Sequence, residues 1–281
     1  MHLTTIQKRV ILLFLLLSLP FTGAAFAAKA RLPAISEISG NQQPGSFVWF
    51  DLVTHDRKKV RAYYANLFGW KIFEAKEGDG YDLIMNKGVM IGGIAEIVEE
   101  EQSAWFSSLS MNDVEQAVDL VKQLGGKVLE PVQQVDDRGV MALVEDNTGA
   151  AFVLLDTGSR DPVSKPVQPG DWLWTDLFTT DSAKAGAFYK GLTGAQLKTV
   201  TDRNKKPVDV LSLNGKPISG VVKIPWQDVT PIWLPYVLVE DLTATVQRAV
   251  QSGGRLFFKF EDGAILLDPT GAAFGVQQIA K

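Results

Sequence analysis

Apolar and polar positions along the chain follow two periods, and their arrangement repeats. Val60, Tyr63, Tyr64, Leu67 and Phe68 fall on one stripe at helical spacing, as do Val114, Ala117, Val118, Val121 and Leu124. Asp56 and Asp113 stand where a side chain can accept hydrogen bonds from the free amides of a first turn. Gly69 and Gly125 stand where a positive φ ends a helix. Helices are therefore predicted over residues 56–68 and 114–124. Short apolar runs predict strands over 47–53, 71–75, 81–85 and 90–97, and again over 105–110, 128–131, 140–145 and 151–155. Each set reads as one strand, one helix and three strands.

The whole arrangement then returns. Trp49-Phe50-Asp51-Leu52-Val53-Thr54-His55-Asp56 comes back 125 residues later as Trp174-Thr175-Asp176-Leu177-Phe178-Thr179-Thr180-Asp181. Tyr63-Tyr64-Ala65-Asn66-Leu67-Phe68-Gly69 is echoed by Phe188-Tyr189-Lys190-Gly191-Leu192-Thr193-Gly194, and Asp146-Asn147-Thr148-Gly149-Ala150-Ala151-Phe152 by Asp268-Pro269-Thr270-Gly271-Ala272-Ala273-Phe274. Downstream strands are predicted over 172–178, 208–213, 218–224, 234–239, 256–260, 264–267 and 273–277, with helices over 181–192 and 242–251. A repeated unit of this length is a domain rather than a short solenoid repeat. The expected domains are 45–158 and 170–281, joined by a linker over 159–169 marked by Pro162, Pro166 and Pro169. The chain is thus an α+β protein of four βαβββ modules paired into two domains.

Residues 1–27 read as a signal peptide: Lys8 and Arg9, an apolar run from Val10 to Leu19, and the small-x-small site Ala25-Phe26-Ala27. The run is shorter than the roughly 20 residues of a spanning helix. A flexible tether is expected over 28–44, and the mature protein is expected to be periplasmic or secreted. There is no cysteine, so no disulfide or thiol nucleophile exists and the fold rests on its apolar cores. Loss of Lys8 and Arg9 takes the formal charge from −4 to −6, which argues against nucleic acid, and against a membrane partner once the leader is gone.

The strand–Thr-x-Asp–helix order, the aromatic pair Tyr63-Tyr64 or Phe188-Tyr189, the doublets Gly125-Gly126 and Gly253-Gly254, and the closing Asp-x-Thr-Gly-Ala-Ala-Phe resemble the vicinal oxygen chelate superfamily, whose members include glyoxalases, extradiol dioxygenases and bleomycin resistance proteins. The resemblance covers residues 46–157 and 170–278 and implies two half-barrel domains with concave pockets. It also implies a divalent ion held from the pocket-facing strands. The matching positions here are Trp49, Phe106 and Val153, and Trp174, Leu234 and Gly275. None supplies the His, Asp or Glu donors such an ion needs, so no cofactor is expected, and a metal is conceivable only at a non-standard site. His55 belongs to the helix-cap turn, and Glu99-Glu100-Glu101 reads as a solvated charge run.

Strand alternation places Trp49, Asp51 and Val53 on the first concave face with Phe106, Ser108 and Ser110, and Trp174, Asp176 and Phe178 on the second with Leu234, Tyr236 and Leu238. Phe50, Leu52, Leu173 and Leu177 then pack under the helices. The candidate ligand-binding residues are Trp49, Asp51, Phe106, Ser108, Arg138, Trp174, Asp176 and Tyr236. Asp51 and Asp176 are the candidates for catalysis, because a carboxyl group on an apolar face is either hydrogen-bonded or shifted upward in pKa. The tryptophans, Trp49, Trp70, Trp105, Trp172, Trp174, Trp226 and Trp233, serve either core packing or ligand stacking. The loop Asp136-Asp137-Arg138-Gly139 shrinks to Glu261-Asp262-Gly263 in the second domain, so the first is expected to hold the roomier pocket, with Arg138 clamping an anionic group. The reading is an exported binding protein for a small apolar or aromatic molecule. The alternatives are a glyoxalase-like lyase, isomerase or dioxygenase with a carboxylate or non-standard metal site, and a scaffold that forms homo-oligomers.

Overall fold

The computed structural model describes residues 32–279, except 38, 77–79, 98–101, 136, 203–204 and 225–229. The signal segment, Glu99 to Glu101, Asp136 and Trp226 lie outside the described residues. The first module comprises β1 (Phe47–Thr54), α1 (Arg57–Phe68), β2 (Lys71–Glu74), β3 (Tyr81–Asn86) and β4 (Val89–Glu96). The second comprises β5 (Ala104–Ser110), α2 (Val114–Gln123), β6 (Lys127–Val135), β7 (Gly139–Glu145) and β8 (Ala151–Asp156). The third is β9 (Trp172–Thr179), α3 (Ser182–Thr193), β10 (Gln196–Thr201), β11 (Pro207–Leu213) and β12 (Lys216–Lys223). The fourth is β13 (Ile232–Val239), α4 (Leu242–Gln251), β14 (Arg255–Lys259), β15 (Gly263–Leu267) and β16 (Ala273–Gln278).

Local chemistry sets these boundaries. Asp56, Asp113, Asp181 and Asp241 each accept a hydrogen bond from the amide three residues on, at the N-cap of α1, α2, α3 and α4. Gly69 and Gly194 end α1 and α3 in the left-handed region, at φ 72° and 79°. The sequence pattern missed β10. Its six residues Gln-Leu-Lys-Thr-Val-Thr lie at a sheet edge and are largely exposed, so burial leaves no apolar run to read.

Each pair of modules forms one eight-stranded sheet, in the orders β2-β3-β4-β1-β5-β8-β7-β6 and β10-β11-β12-β9-β13-β16-β15-β14. In each, the two module-opening strands meet antiparallel at the centre, β1 on β5 and β9 on β13. The helices pack across the domain boundary. Residues of α1 share a core with Val237, Leu242, Val246 and Phe274 of the fourth module, and residues of α2 share another with Leu177, Phe188 and Tyr189 of the third. The remaining sheet faces carry separate clusters, Trp49, Val53, Tyr81 and Phe106 on one and Leu234, Tyr236 and Ile265 on the other.

Two matched relays cross that boundary. Trp105 Nε1–H donates to Tyr64 Oη (2.9 Å), whose hydroxyl donates to Asp268 Oδ2 (3.1 Å). Trp233 Nε1–H donates to Tyr189 Oη (2.9 Å), and Tyr189 donates to Asp146 Oδ2 (3.0 Å). The other oxygen of each aspartate organises its own turn. Asp146 Oδ1 accepts from the Thr148 amide and hydroxyl at 2.7 Å each, and Asp268 Oδ1 from those of Thr270 at 2.8 Å each. The repeated Asp-x-Thr-Gly motif is therefore an anchor for the domain interface, and Trp105 and Trp233 belong to the core.

The stretch expected to be a loose tether is packed from Leu32 onward. Leu32 and Ile35 are buried against the first concave face, and Gln43 N donates to Asp161 Oδ2 in the linker (2.6 Å). Two apolar side chains reaching a sheet face outweigh the polar composition around them.

Candidate ligand-binding site

The two half-barrels begin from the same backbone frame. Asp51 on β1 lies opposite Gly93 on β4, and Asp176 on β9 opposite Gly220 on β12, both in parallel register. A side chain at either glycine would collide with the facing carboxyl group, so both glycines admit an aspartate to the sheet face. Trp49 and Trp174 stand two residues earlier on the same faces.

In the first half-barrel this frame is filled from within. Arg138 is 1% exposed, and its Nη1 pairs with Asp51 Oδ2 at 3.0 Å. Its Nη2 donates to Tyr81 Oη (2.8 Å) and its Nε to the Pro33 carbonyl (2.8 Å). Tyr81 and Trp49 Nε1 both donate to Asp51 Oδ1, and the guanidinium carbon lies 5.3 Å from each of the Trp49 and Tyr81 ring centroids. Burial would lower the Arg138 pKa, but Tyr81 and Asp51 overcome it and the net shift is upward, so the cation persists. Burial raises that of Tyr81, keeping the phenol a donor. Leu32 and Ile35 cover the apolar remainder.

This overturns the expectation that the first domain holds the roomier pocket and that Arg138 waits there for an anion. The loop folds its arginine inward because Asp51, in a dry site, requires a counter-charge. Phe106 and Ser108 are buried beside it, and Ser110 Oγ donates to Asp161 Oδ2 (2.6 Å), tying the sheet to the linker.

The second half-barrel is open. A cavity of about 910 Å³ is lined by Trp174, Asp176, Val200, Val208, Val210, Gly220, Phe260, Asp262 and Ile279, among others. The counterpart of Tyr81 is Val208, two residues before Val210, as Tyr81 stands two before Leu83; Val210 and Leu83 pair with Gly220 and Gly93. The hairpin is also shorter: β6 and β7 have nine and seven residues, β14 and β15 five each. Neither a tyrosine hydroxyl from β11 nor an arginine from the hairpin reaches Asp176.

Asp176 is thereby left short of partners. The residue is only partly buried and opens onto the cavity, yet its Oδ1 is sealed from solvent with no hydrogen-bond partner. Burial pushes its pKa up to about 7, offset in part by the Tyr236 hydroxyl and the Gly220 amide. Tyr236 stands opposite Trp174 and parallel to Gly275, as Ser108 does to Trp49 and Val153, so the small residue has moved from one strand to the other. Leu173, expected under the helices, lines the cavity instead: the register skips it between Trp172 and Trp174, and this bulge turns it outward.

All eight sequence-derived candidates lie on or beside the two concave faces, but they divide into a satisfied cluster and an open one. The sequence reading missed Tyr81, Leu32 and Ile35, which close the first, and Val208 and Phe260, which line the second. The glycines opposite the two aspartates were the available signal. His55 remains in the α1 cap turn, 3.5 Å from Ser103 Oγ. The family's metal positions do face inward, with Trp49, Phe106 and Val153 in one cluster and Trp174 and Leu234 in the other. Their side chains are hydrocarbon and indole, which do not fit a divalent ion, and among the described residues no group of three His, Asp or Glu is placed to hold one.

No protein-family model matches the chain. It is 29% identical over 244 residues to a putative glyoxylase, CFP32, of Mycobacterium tuberculosis, covering 81% of this chain and 92% of that one. It is 28% identical over 261 residues to the anthracycline biosynthesis protein DauV of a Streptomyces species, covering 84% and 94%. Among solved structures it matches the Mn(II)-bound glyoxalase of Novosphingobium aromaticivorans, with TM-score 0.59, 12% identity and 85% and 83% coverage. A variant of homoprotocatechuate 2,3-dioxygenase from B. fuscum in complex with HPCA gives TM-score 0.57, 12% identity and 91% and 74% coverage. With two eight-stranded sheets of paired βαβββ modules, the chain shares the fold of these glyoxalase and dioxygenase structures and is similar over most of its length to a glyoxylase-named relative, as a tandem two-domain protein that resembles the vicinal oxygen chelate superfamily.

Proposed function

We propose that this is an exported protein that binds a small, largely apolar or aromatic molecule in its second half-barrel, without a metal. The observation that carries the reading is a cavity of about 910 Å³ whose wall includes Asp176, with its unpartnered Oδ1, together with apolar side chains such as Trp174, Val200, Val208 and Phe260 and polar ones such as Thr199, Asp209 and Asp262. A concave site with apolar walls and polar groups for orientation is the usual form of a small-molecule pocket, and a carboxyl oxygen shielded from water without a partner is costly. Two relatives carry names from anthracycline biosynthesis, which accords with handling of a small organic molecule. Export rests on the leader pattern at residues 1–27, and an N-terminus near Ala28 in the exported protein is its test.

The test of the binding reading is mass spectrometry of molecules released on denaturing the purified protein. An organic molecule released from the wild type and absent from Trp174→Ala supports it. Equal release from both, or none from either, refutes it.

A second reading, a glyoxalase-like enzyme using a carboxylate, draws on Asp176 alone: a pKa of about 7 suits proton transfer near neutral pH. Solvent deuterium entering the released molecule with wild type but not with Asp176→Asn would establish it. No exchange with either would exclude it.

A further inference from the structure

The duplication gives one half-barrel in which the Trp-x-Asp frame is occupied, and this shows what the other lacks. In the first, Asp51 is met by a guanidinium at 3.0 Å, that cation lies over the Trp49 ring, and Leu32 and Ile35 supply apolar cover. In the second, Trp174, Asp176 and Gly220 repeat the frame, while the hairpin ends in Glu261-Asp262-Gly263 and no counterpart of Leu32 or Ile35 lies in the cluster lining that face among the described residues. The chain satisfies the first frame with its own cation and its own apolar segment. The second has room for both from outside.

We propose that the second half-barrel binds an organic cation, an ammonium or guanidinium group on an apolar or aromatic body, with the charge seated between Asp176 and the Trp174 ring where Arg138 sits in the first. This rests on the small-molecule reading above and names the chemistry of its ligand.

The cavity's charge agrees. Its lining includes four carboxylates, Asp176, Asp202, Asp209 and Asp262, against one cation, Lys223. An anionic ligand would meet net repulsion, with only Lys223 among the described lining residues to offset the four carboxylates. A neutral one would leave Asp176 Oδ1 with at most a single neutral hydrogen bond. A cation gains charge-assisted hydrogen bonds to Asp176 and, once desolvated, attraction to the indole face. The apolar walls at Val208 and Phe260 exclude water and so strengthen both.

The experiment uses three probes sharing one ring: naphthalen-1-ylmethylamine, naphthalen-1-ylmethanol and 1-naphthoate, titrated by calorimetry into the wild-type mature chain at pH 7.5. The amine is expected to bind about ten-fold or more tighter than the alcohol, and the naphthoate weakest. Asp176→Asn is expected to bring the amine within about three-fold of the alcohol while leaving the alcohol's affinity in place. Equal affinity of amine and alcohol, or tighter binding of naphthoate, overturns the cation assignment while the pocket stands. Failure of all three to bind overturns the small-molecule reading and the assignment with it. The comparison across probes is made on the wild type, so it holds whether or not the variant folds.

Discussion

Asp51 and Asp176 occupy the same register position in the two half-barrels, each opposite a glycine, yet one is locked to Arg138 at 3.0 Å and the other has an oxygen with no partner. The duplication preserved the frame and divided its use. The first half-barrel is a closed structural unit, and the second has a cavity whose wall carries a carboxyl group with one unpartnered oxygen.

That carboxyl group makes stability depend on pH. Asp176 titrates near 3.8 in the unfolded chain and near 7 in the folded one. Between those values the folded state holds the proton more tightly, so stability falls as pH rises from about 4 to about 7 and levels off above. The contribution is on the order of 4 kcal/mol at most. Asp268 and Asp82 are also raised by burial and act in the same direction, so the informative quantity is a difference. Urea unfolding from pH 4.5 to 8 should show a shallower loss for Asp176→Asn than for wild type. Parallel curves would show that Asp176 is solvated.

The Arg138–Asp51 pair should behave as a buried ion pair. Arg138→Met leaves Asp51 charged in a dry site and is expected to cost about 3–5 kcal/mol. Asp51→Asn combined with Arg138→Met should recover a large part of that loss, because neither charge is then stranded. A double-mutant cycle by denaturant unfolding measures it, and a single variant within about 0.5 kcal/mol of wild type would place Arg138 in solvent.

Tyr64→Phe and Tyr189→Phe each interrupt one interdomain relay, leaving a buried indole N–H and an aspartate oxygen without their hydroxyl. Each is expected to cost about 1–3 kcal/mol, and similar amounts, since the two relays share one geometry. Thermal unfolding of the two variants checks both the size and the match. A loss confined to one would mean that the domains are held unequally.

Much of this architecture was legible in the sequence because it depends on local rules. The caps at Asp56 and Asp113, the helical stripes and the repeated Trp-x-Asp all follow from residue type and spacing. The state of each pocket was not, because it depends on side chains arriving from far along the chain. Arg138 reaches Asp51 across 87 residues of separation, and its Nε reaches the Pro33 carbonyl across 105. Loop length alone pointed the wrong way: the longer hairpin fills its half-barrel, and the shorter one leaves its own open. The exchange of Tyr81 for Val208 carries the same message, visible only once β3 and β11 are set in register.

The central claim, that the second half-barrel and not the first is the ligand site, is tested most directly by mapping amide chemical shifts while naphthalen-1-ylmethanol is titrated into the isotopically labelled wild-type protein. The account predicts that the largest changes fall at Trp174, Val208, Gly220 and Phe260, with Trp49, Tyr81 and Gly93 unmoved. Changes centred on Trp49, Tyr81 and Gly93 would contradict it.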